Sequence, residues 1–410
     1  MKKTLMRKYA RLLVRRGVNL AKGQELKIVS DIEAADLVKL VAEEGYRAGA
    51  SNVTVDWSCT ELTRLGYKRR TVKSLCEVPD WRVEKVKRES VVLPASIYID
   101  CEDPDGMKGV DQKKMAKAGM AARQAFKPYR DAMDNKYQWL VAAYPGKKWA
   151  KKVFPGDRAG VAVEKLWKAI LDCCLVTDDN DPIAEWDKKD AGFQARCDWL
   201  NEKRFDYIEY KSSNGTDFRC SLMPNSLWMG GGDRTLSGRY YDPNMPTEEI
   251  FTTPLKGKCD GRLVSTMPLS LNGVLVEKFY IDFADGKAVS WHAEKGGEAL
   301  DRLIGYDEGS CMLGEVALVP KDSPISRSGL LFYNTLFDEN ASCHVALGAG
   351  YTSNIEGYEN MTLDELHEAG VNDSMVHVDF MVGADDLNIT GYKNGVATPI
   401  FINGKFAPGI

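Results

Sequence analysis

The chain is poor in histidine. It also has no paired-cysteine motif, no long apolar run and no excess of positive charge. Each shortage excludes something. No stretch approaches the roughly 20 apolar residues of a membrane-spanning helix. The basic, amphipathic opening MKKTLMRKYARLLVRRGVNL lacks the apolar segment and small-residue cleavage site of a signal peptide. The 10 cysteines are scattered with no C-x-x-C pair, which argues against a disulfide framework and for reduced thiols in a cytoplasmic protein. A net charge of −4 gives no footprint for a nucleic-acid partner. The one basic cluster, Lys147, Lys148, Lys151 and Lys152 around Trp149, reads as a solvated helix face. Gly230-Gly231-Gly232 is not followed by a phosphate-loop pattern and reads as a surface turn.

Hydrophobic content of 44% and charged content of 28% are ordinary for a globular protein. A length of 410 residues suits two domains with ample cores. The first half alternates strands and helices. Glu25–Ser30 reads as a strand, Ile32–Ala48 as a helix and Asn52–Asp56 as a strand, a βαβ unit that predicts a parallel sheet. A strand over Ser90–Asp100 follows, then a helix over Gln112–Met133 and a strand over Trp139–Tyr144. Two more helices are expected at Ala159–Leu175 and Pro182–Glu202. From about Phe205 the character changes to short strands and glycine turns. Tyr207–Tyr210 and Asp217–Cys220 flank Asn214-Gly215, a hairpin signal. Asn272-Gly273 and Asp285-Gly286 mark further turns. The expectation is an α/β N-terminal domain over residues 1–203 with a parallel-type sheet. A mainly β (α+β) catalytic domain over 204–410 follows it.

The chemistry concentrates in that second half. His377 and Asp379 sit in the apolar run Val376–Val382. On a strand they point the same way, with Val378 and Phe380 opposite. Such a pair can form two corners of a metal site. His344 lies beside another apolar stretch, Glu315 opens the run Val316–Val319, and Glu248 and Glu249 come on a Pro-led turn before Ile250. Acids and histidines are seldom buried without partners. Two histidines with three or more carboxylates suit a pair of divalent cations, Zn, Co, Mn or Mg. Cys343 adjoins His344, but neighbours on a strand face opposite sides, which disfavours a Cys–His nucleophile. His367 lies on a capped polar helix, and His292 has no acid at ligand spacing. Asn372 and Asp373 suit a turn or support for the metal ligands.

The segments NMPTEEIFTTP, LGEVALV, NTLFDENASCHVALG and GVNDSMVHVDFMVG resemble the signature segments of the aminopeptidase T and S family of two-metal exopeptidases. The similarity is most specific from Asn244 to Gly383 and extends weakly to KYARLLVRRGVNLAKGQELKI near the start. The resemblance implies metal ligation by Glu249, Glu315, His344, His377 and Asp379, with Glu315 bridging two ions. It also implies Tyr351 near the metals and a homodimer.

On this basis the chain is expected to be a metallo-aminopeptidase that removes N-terminal residues from peptides with a metal-activated water. It would need no nucleic acid and no membrane. Glu248 is the candidate for general base or for receiving the substrate amine; Glu249, taking the inward face, would otherwise leave it a supporting role. Tyr351 could donate to the oxyanion. Two alternatives stand beside this: a two-metal phosphoesterase, although no arginine cluster or P-loop accompanies the acids, and a metal-stabilised binding protein, although structural zinc sites are typically rich in cysteine.

Overall fold

The computed structural model describes residues 2–101, 103–271 and 274–410. The expected Asn272-Gly273 turn lies outside the described residues. The chain divides into two compact units, Met1–Lys188 with Gly232–Pro246, and Lys189–Gly231 with Thr247–Ile410.

The first unit is built on four parallel strands: β1 (Glu25–Asp31), β2 (Asn52–Ser58), β3 (Ala95–Asp100) and β4 (Trp139–Ala143), in the order β2-β1-β3-β4. Leu26 and Ile28 of β1 are fully buried. The helix Ala35–Ala48 covers the sheet with Leu37, Val38, Leu40 and Val41, a helical spacing, and stops at Gly49 in the left-handed region. The expected strand Ser90–Asp100 begins only at Ala95; Ser90–Val92 finish the helix Asp80–Val92. Pro94 supplies the reason, since the residue before a proline is pushed out of the helical region. The lysine cluster lies on the helix Lys147–Val153, with Trp149 buried. Lys148 pairs with Glu61 and Lys152 with Asp105, as a solvated face would.

The second unit holds two antiparallel sheets of nine and five strands. The expected hairpin is present as Tyr207–Lys211 against Asp217–Leu222. Asp285 and Gly286 both take positive φ between their strands, the geometry a two-residue hairpin turn demands. Met229–Gly230 pairs with Ile250 and Phe251, so the glycine run expected as a surface turn begins inside a strand.

The expected boundary at residue 203/204 followed the change from helix to strand. By packing, the helix Pro182–Lys203 joins the second unit from Lys189 onward. Phe193, Cys197 and Leu200 lie in that unit's core with Phe218, Phe279 and Phe380. Residues 232–246 return to the first unit, where the Val141 amide donates to Pro243 O and the Met245 amide to Val141 O.

The five-stranded sheet carries the chemistry. Its strands are Met229–Gly230, Ile250–Thr252, Leu313–Leu318, His344–Gly348 and His377–Met381. One face presents Ile250, Val316, Leu318, Val345, Leu347 and Phe380 to the apolar core. Gly348, in the left-handed region at φ 108, pairs with His377, and a Cβ there would overlap the Val376 carbonyl oxygen. Gly348→Ala should therefore displace the His377 strand. Left-handed backbone costs an alanine about 1–2 kcal/mol, and overpacking adds about 1–3 kcal/mol. Equilibrium denaturation should show a loss of about 2 kcal/mol or more; unchanged stability would show that the strand has room to shift.

Candidate metal centre

Register assembles the site. Glu315 lies opposite Ala346, and Ala346 opposite Asp379. Paired residues on adjacent strands point to the same face. His344 and His377 lie two residues from Ala346 and Asp379 on their strands, so they share that face. Glu249 precedes Ile250, whose neighbour Phe251 pairs with Ala317, which puts Glu249 there as well. This is the face turned away from the apolar core. Ala346, between Glu315 and Asp379, contributes only a methyl group.

The side chains form two overlapping groups, Glu249, Glu315 and His344, and Glu315, His377 and Asp379; within each, the ligand atoms lie within 4.8 Å of one another. Glu315 belongs to both. His344 Nε2 is 3.3 Å from Glu249 Oε2, and His377 Nε2 is 3.1 Å from Glu315 Oε2 and 3.5 Å from Asp379 Oδ1. His344 and Glu315 are almost fully buried, at 1% and 3% exposure.

Both imidazoles are oriented from behind. His344 Nδ1 lies 3.0 Å from the Ser342 carbonyl oxygen, and His377 Nδ1 2.7 Å from that of Ala349. A carbonyl only accepts, so each Nδ1 carries the hydrogen and each neutral ring turns an Nε2 lone pair toward carboxylate oxygens. Lone pair facing carboxylate is repulsive unless a proton or a metal ion intervenes. With protons alone, burial lowers the basicity of His344. The hydrogen bond and charge of Glu249, with the charges of Glu315 and Asp379, outweigh that and bring its pKa up to about 10. His377 is likewise opposed by burial and raised to about 11 by Asp379 and Glu315. Burial, with Asp379 and Glu249 nearby, pushes the Glu315 carboxyl to about 7 although the His377 hydrogen bond opposes it. The centre is short of positive charge. Asp379 Oδ1 is buried with no hydrogen-bond donor among the described residues. Oxygen and imidazole donors aimed at one volume fit divalent cations.

A fourth carboxylate was missing from the sequence expectation. Glu339, in the short turn Glu339–Ala341, has its carboxyl held well above the usual range by burial and by the charges of Glu249 and Asp379. Four carboxylates gathered this closely need protons or cations to offset their charge. The fully buried Asn340 ties this turn to the Glu249 segment. Its Oδ1 accepts from the Glu248 amide at 2.7 Å, and its Nδ2 donates to Leu336 O at 3.0 Å. The acid-rich stretch Asp338-Glu339-Asn340, just before His344, was the available signal. A turn carries no alternation, so strand logic passed over it.

Glu248 faces elsewhere. Its carboxylate accepts from Lys189 Nζ at 2.7 Å in a pair 13% and 8% exposed, and it belongs to neither group. Adjacent residues at a strand end point to opposite sides, so Glu249 takes the face and Glu248 the ion pair. Tyr351 lies beside the site: its hydroxyl is 3.2 Å from His377 Nε2, and its ring meets Phe251 edge to face. Asn372 donates to Gly309 O and Gly348 O, which holds the end of the His344 strand as expected of a support. Cys343 is buried and bonds to Val319 O. His367 sits on its helix behind a Thr362–Glu365 capping box. Neither His367 nor His292 joins the cluster.

If the cluster binds divalent cations, His377→Ala should cut affinity for Zn²⁺ or Mn²⁺ by more than the roughly 10–100-fold that losing a ligand's support costs, with near-normal melting of the metal-free chain. Calorimetric titration of chelator-treated protein measures this; unchanged affinity would contradict it.

Comparison with known proteins agrees with a metal centre. Residues 2–406 match the thermophilic metalloprotease family, M29. The chain is 41% identical over 401 residues to aminopeptidase AmpS of Bacillus subtilis, covering 97% of both chains. It resembles the solved structure of wild-type AmpT from Thermus thermophilus with a TM-score of 0.91 at 38% identity, covering 98% of this chain and 99% of that one. A dihydroxypyridine dioxygenase from Pseudomonas putida shares the fold at TM-score 0.53 and 14% identity, too distant to speak to chemistry. A match that runs nearly end to end, with a sheet face of histidines and carboxylates inside it, makes this chain a member of the M29 family of thermophilic metalloproteases.

Proposed function

We propose that this metallo-aminopeptidase works with two divalent cations, one between Glu249 and His344 and one between His377 and Asp379, with Glu315 shared. The observation that carries the reading is Glu315, the one residue common to both groups. When bound, such cations supply Lewis acidity toward the scissile carbonyl and the attacking water. The chain's own groups do the rest. The Nδ1–H bonds to Ser342 and Ala349 hold each ring with Nε2 forward. Tyr351 Oη, near His377, donates to the oxygen that becomes negative at the tetrahedral stage. Glu339 flanks both groups and belongs to neither, which suits it to accept the water's proton and deliver it to the leaving amine. Glu248, engaged by Lys189, steadies the turn that presents Glu249.

Zn, Co, Mn or Mg all suit oxygen and imidazole donors. A phosphoesterase is less well supported, because no arginine or lysine lines the cavity beside Glu339, His377 and Asp379 to clamp phosphate. Peptide substrates with a free amine fit an acid-rich site. Ten cysteines scattered without a C-x-x-C pair support a reducing, cytoplasmic compartment, and no helix among the described residues is long and apolar enough to cross a membrane. The helices Thr60–Arg69 and Val72–Cys76 bury no side chain while Leu62, Leu65 and Val72 are exposed, which supports a homodimer.

Three outcomes test this. Glu315→Gln should lower bound metal from about two ions per chain, with tight retention of two ions counting against sharing. Metal-loaded protein should cleave leucyl-p-nitroanilide, lose that activity to chelator and leave p-nitrophenyl phosphate untouched. The N-acetyl analogue should be slower by at least about 10–100-fold, because an unpaired buried acid penalises the missing amine. Equal rates on free and acetylated substrates would sink the exopeptidase assignment.

A further inference from the structure

A cavity of about 370 Å³ adjoins the cluster, near the lower end of the roughly 300–1,000 Å³ of small-ligand pockets. Glu339, His377 and Asp379 form one side of it. The remaining wall is mostly apolar, with Leu269, Leu271, Leu275, Leu331 and Met381. Leu269 and Leu271 share one face of their strand, and Leu275, opposite Ser270 on the partner strand, belongs to the other face. No lysine or arginine lines it. Asp338, also in the wall, is already engaged: it accepts from the Phe332 amide at 2.7 Å and the Asn334 amide at 3.0 Å.

We propose that this cavity receives the side chain of the substrate's first residue and selects uncharged apolar side chains over acidic ones. The proposal rests on the aminopeptidase reading above and adds its specificity. Geometry argues for the first residue. The amine and the first side chain leave the same carbon, so an amine drawn to the acids places that side chain within a few ångströms of them. Glu339 and Asp379 belong at once to the acid set and to the cavity wall. The second side chain lies a peptide unit further on. Chemistry argues for apolar. Leucine and methionine walls reward apolar surface removed from water. An acidic side chain would be desolvated with no cation from the wall to pair with, and it would face Glu339 and Asp379.

The test is kcat/KM of the metal-loaded full chain on alanyl-, leucyl-, phenylalanyl- and glutamyl-p-nitroanilide. Leucyl and phenylalanyl substrates should exceed alanyl by about 10-fold or more, the discrimination an apolar pocket provides for added methylenes, with glutamyl slowest. Leu271→Ala and Leu331→Ala should each shrink the leucyl-to-alanyl ratio several-fold. The ratio between Leu-Leu and Leu-Ala dipeptides, which differ at the second residue, should hold. Metal content and melting of each variant identify a misfolded one, and the other variant then decides. Ratios unchanged in the folded variants, a shift confined to the second residue, or glutamyl turnover equal to leucyl would each overturn the pocket assignment while leaving the aminopeptidase intact. No turnover of any of the four substrates by wild-type protein would overturn the aminopeptidase reading itself, and the pocket with it.

Discussion

The mutual repulsion of carboxylates gathered on one buried sheet face is the constraint that the centre is built around. Glu249, Glu315, Glu339 and Asp379 act on one another electrostatically, in surroundings where charge is poorly screened. Left alone, such a set takes up protons, and the raised basicity of His344 and His377 expresses that demand. The fold tolerates it because the opposite face of the same sheet is largely apolar and packs into the core with Phe279 and Phe380. Stability is thus supplied by one face, and the other is free to hold a charge imbalance that a cation relieves. Functional sites commonly carry such locally unfavourable arrangements.

Rigidity comes from groups that never meet a substrate. Ser342 O and Ala349 O set the imidazole tautomers. Asn372 holds the carbonyl of Gly348, at the end of the His344 strand, and Asn340 joins the turn of Glu339 to that of Glu249. Glycine makes the close strand approach possible: at Gly314 as at Gly348, a Cβ would collide with backbone oxygen of the neighbouring segment. Such supporting groups bring ligand atoms within the tolerances that metal chemistry requires.

Much of this was legible in the sequence, for a simple reason. Period-two alternation fixes which residues share a face, so His377 and Asp379 could be paired from their spacing alone. The βαβ pattern likewise announced the parallel sheet. What stayed hidden was delivered by irregular backbone or by partners distant in the chain. Glu339 comes from a turn without periodicity. Lys189 reaches Glu248 from a helix 59 residues away in the chain, so nothing local revealed that Glu248 was already paired. The helix end at Val92 was mistaken for strand because exposed Val91 and Val92 have the composition of a strand, and Pro94 was the better guide. The unit boundary shifted because Phe193 and Leu200 pack with strands far along the chain, and sequence character does not report packing.

The central claim is that one carboxylate, Glu315, serves two cation positions on a single sheet face. Crystals of the full chain grown with Mn²⁺, measured for anomalous scattering at the manganese edge, address it directly. Two peaks should appear, one beside Glu249 and His344 and the other beside His377 and Asp379, with Glu315 within bonding distance of both. A single peak, or peaks that leave Glu315 uncoordinated, would contradict it.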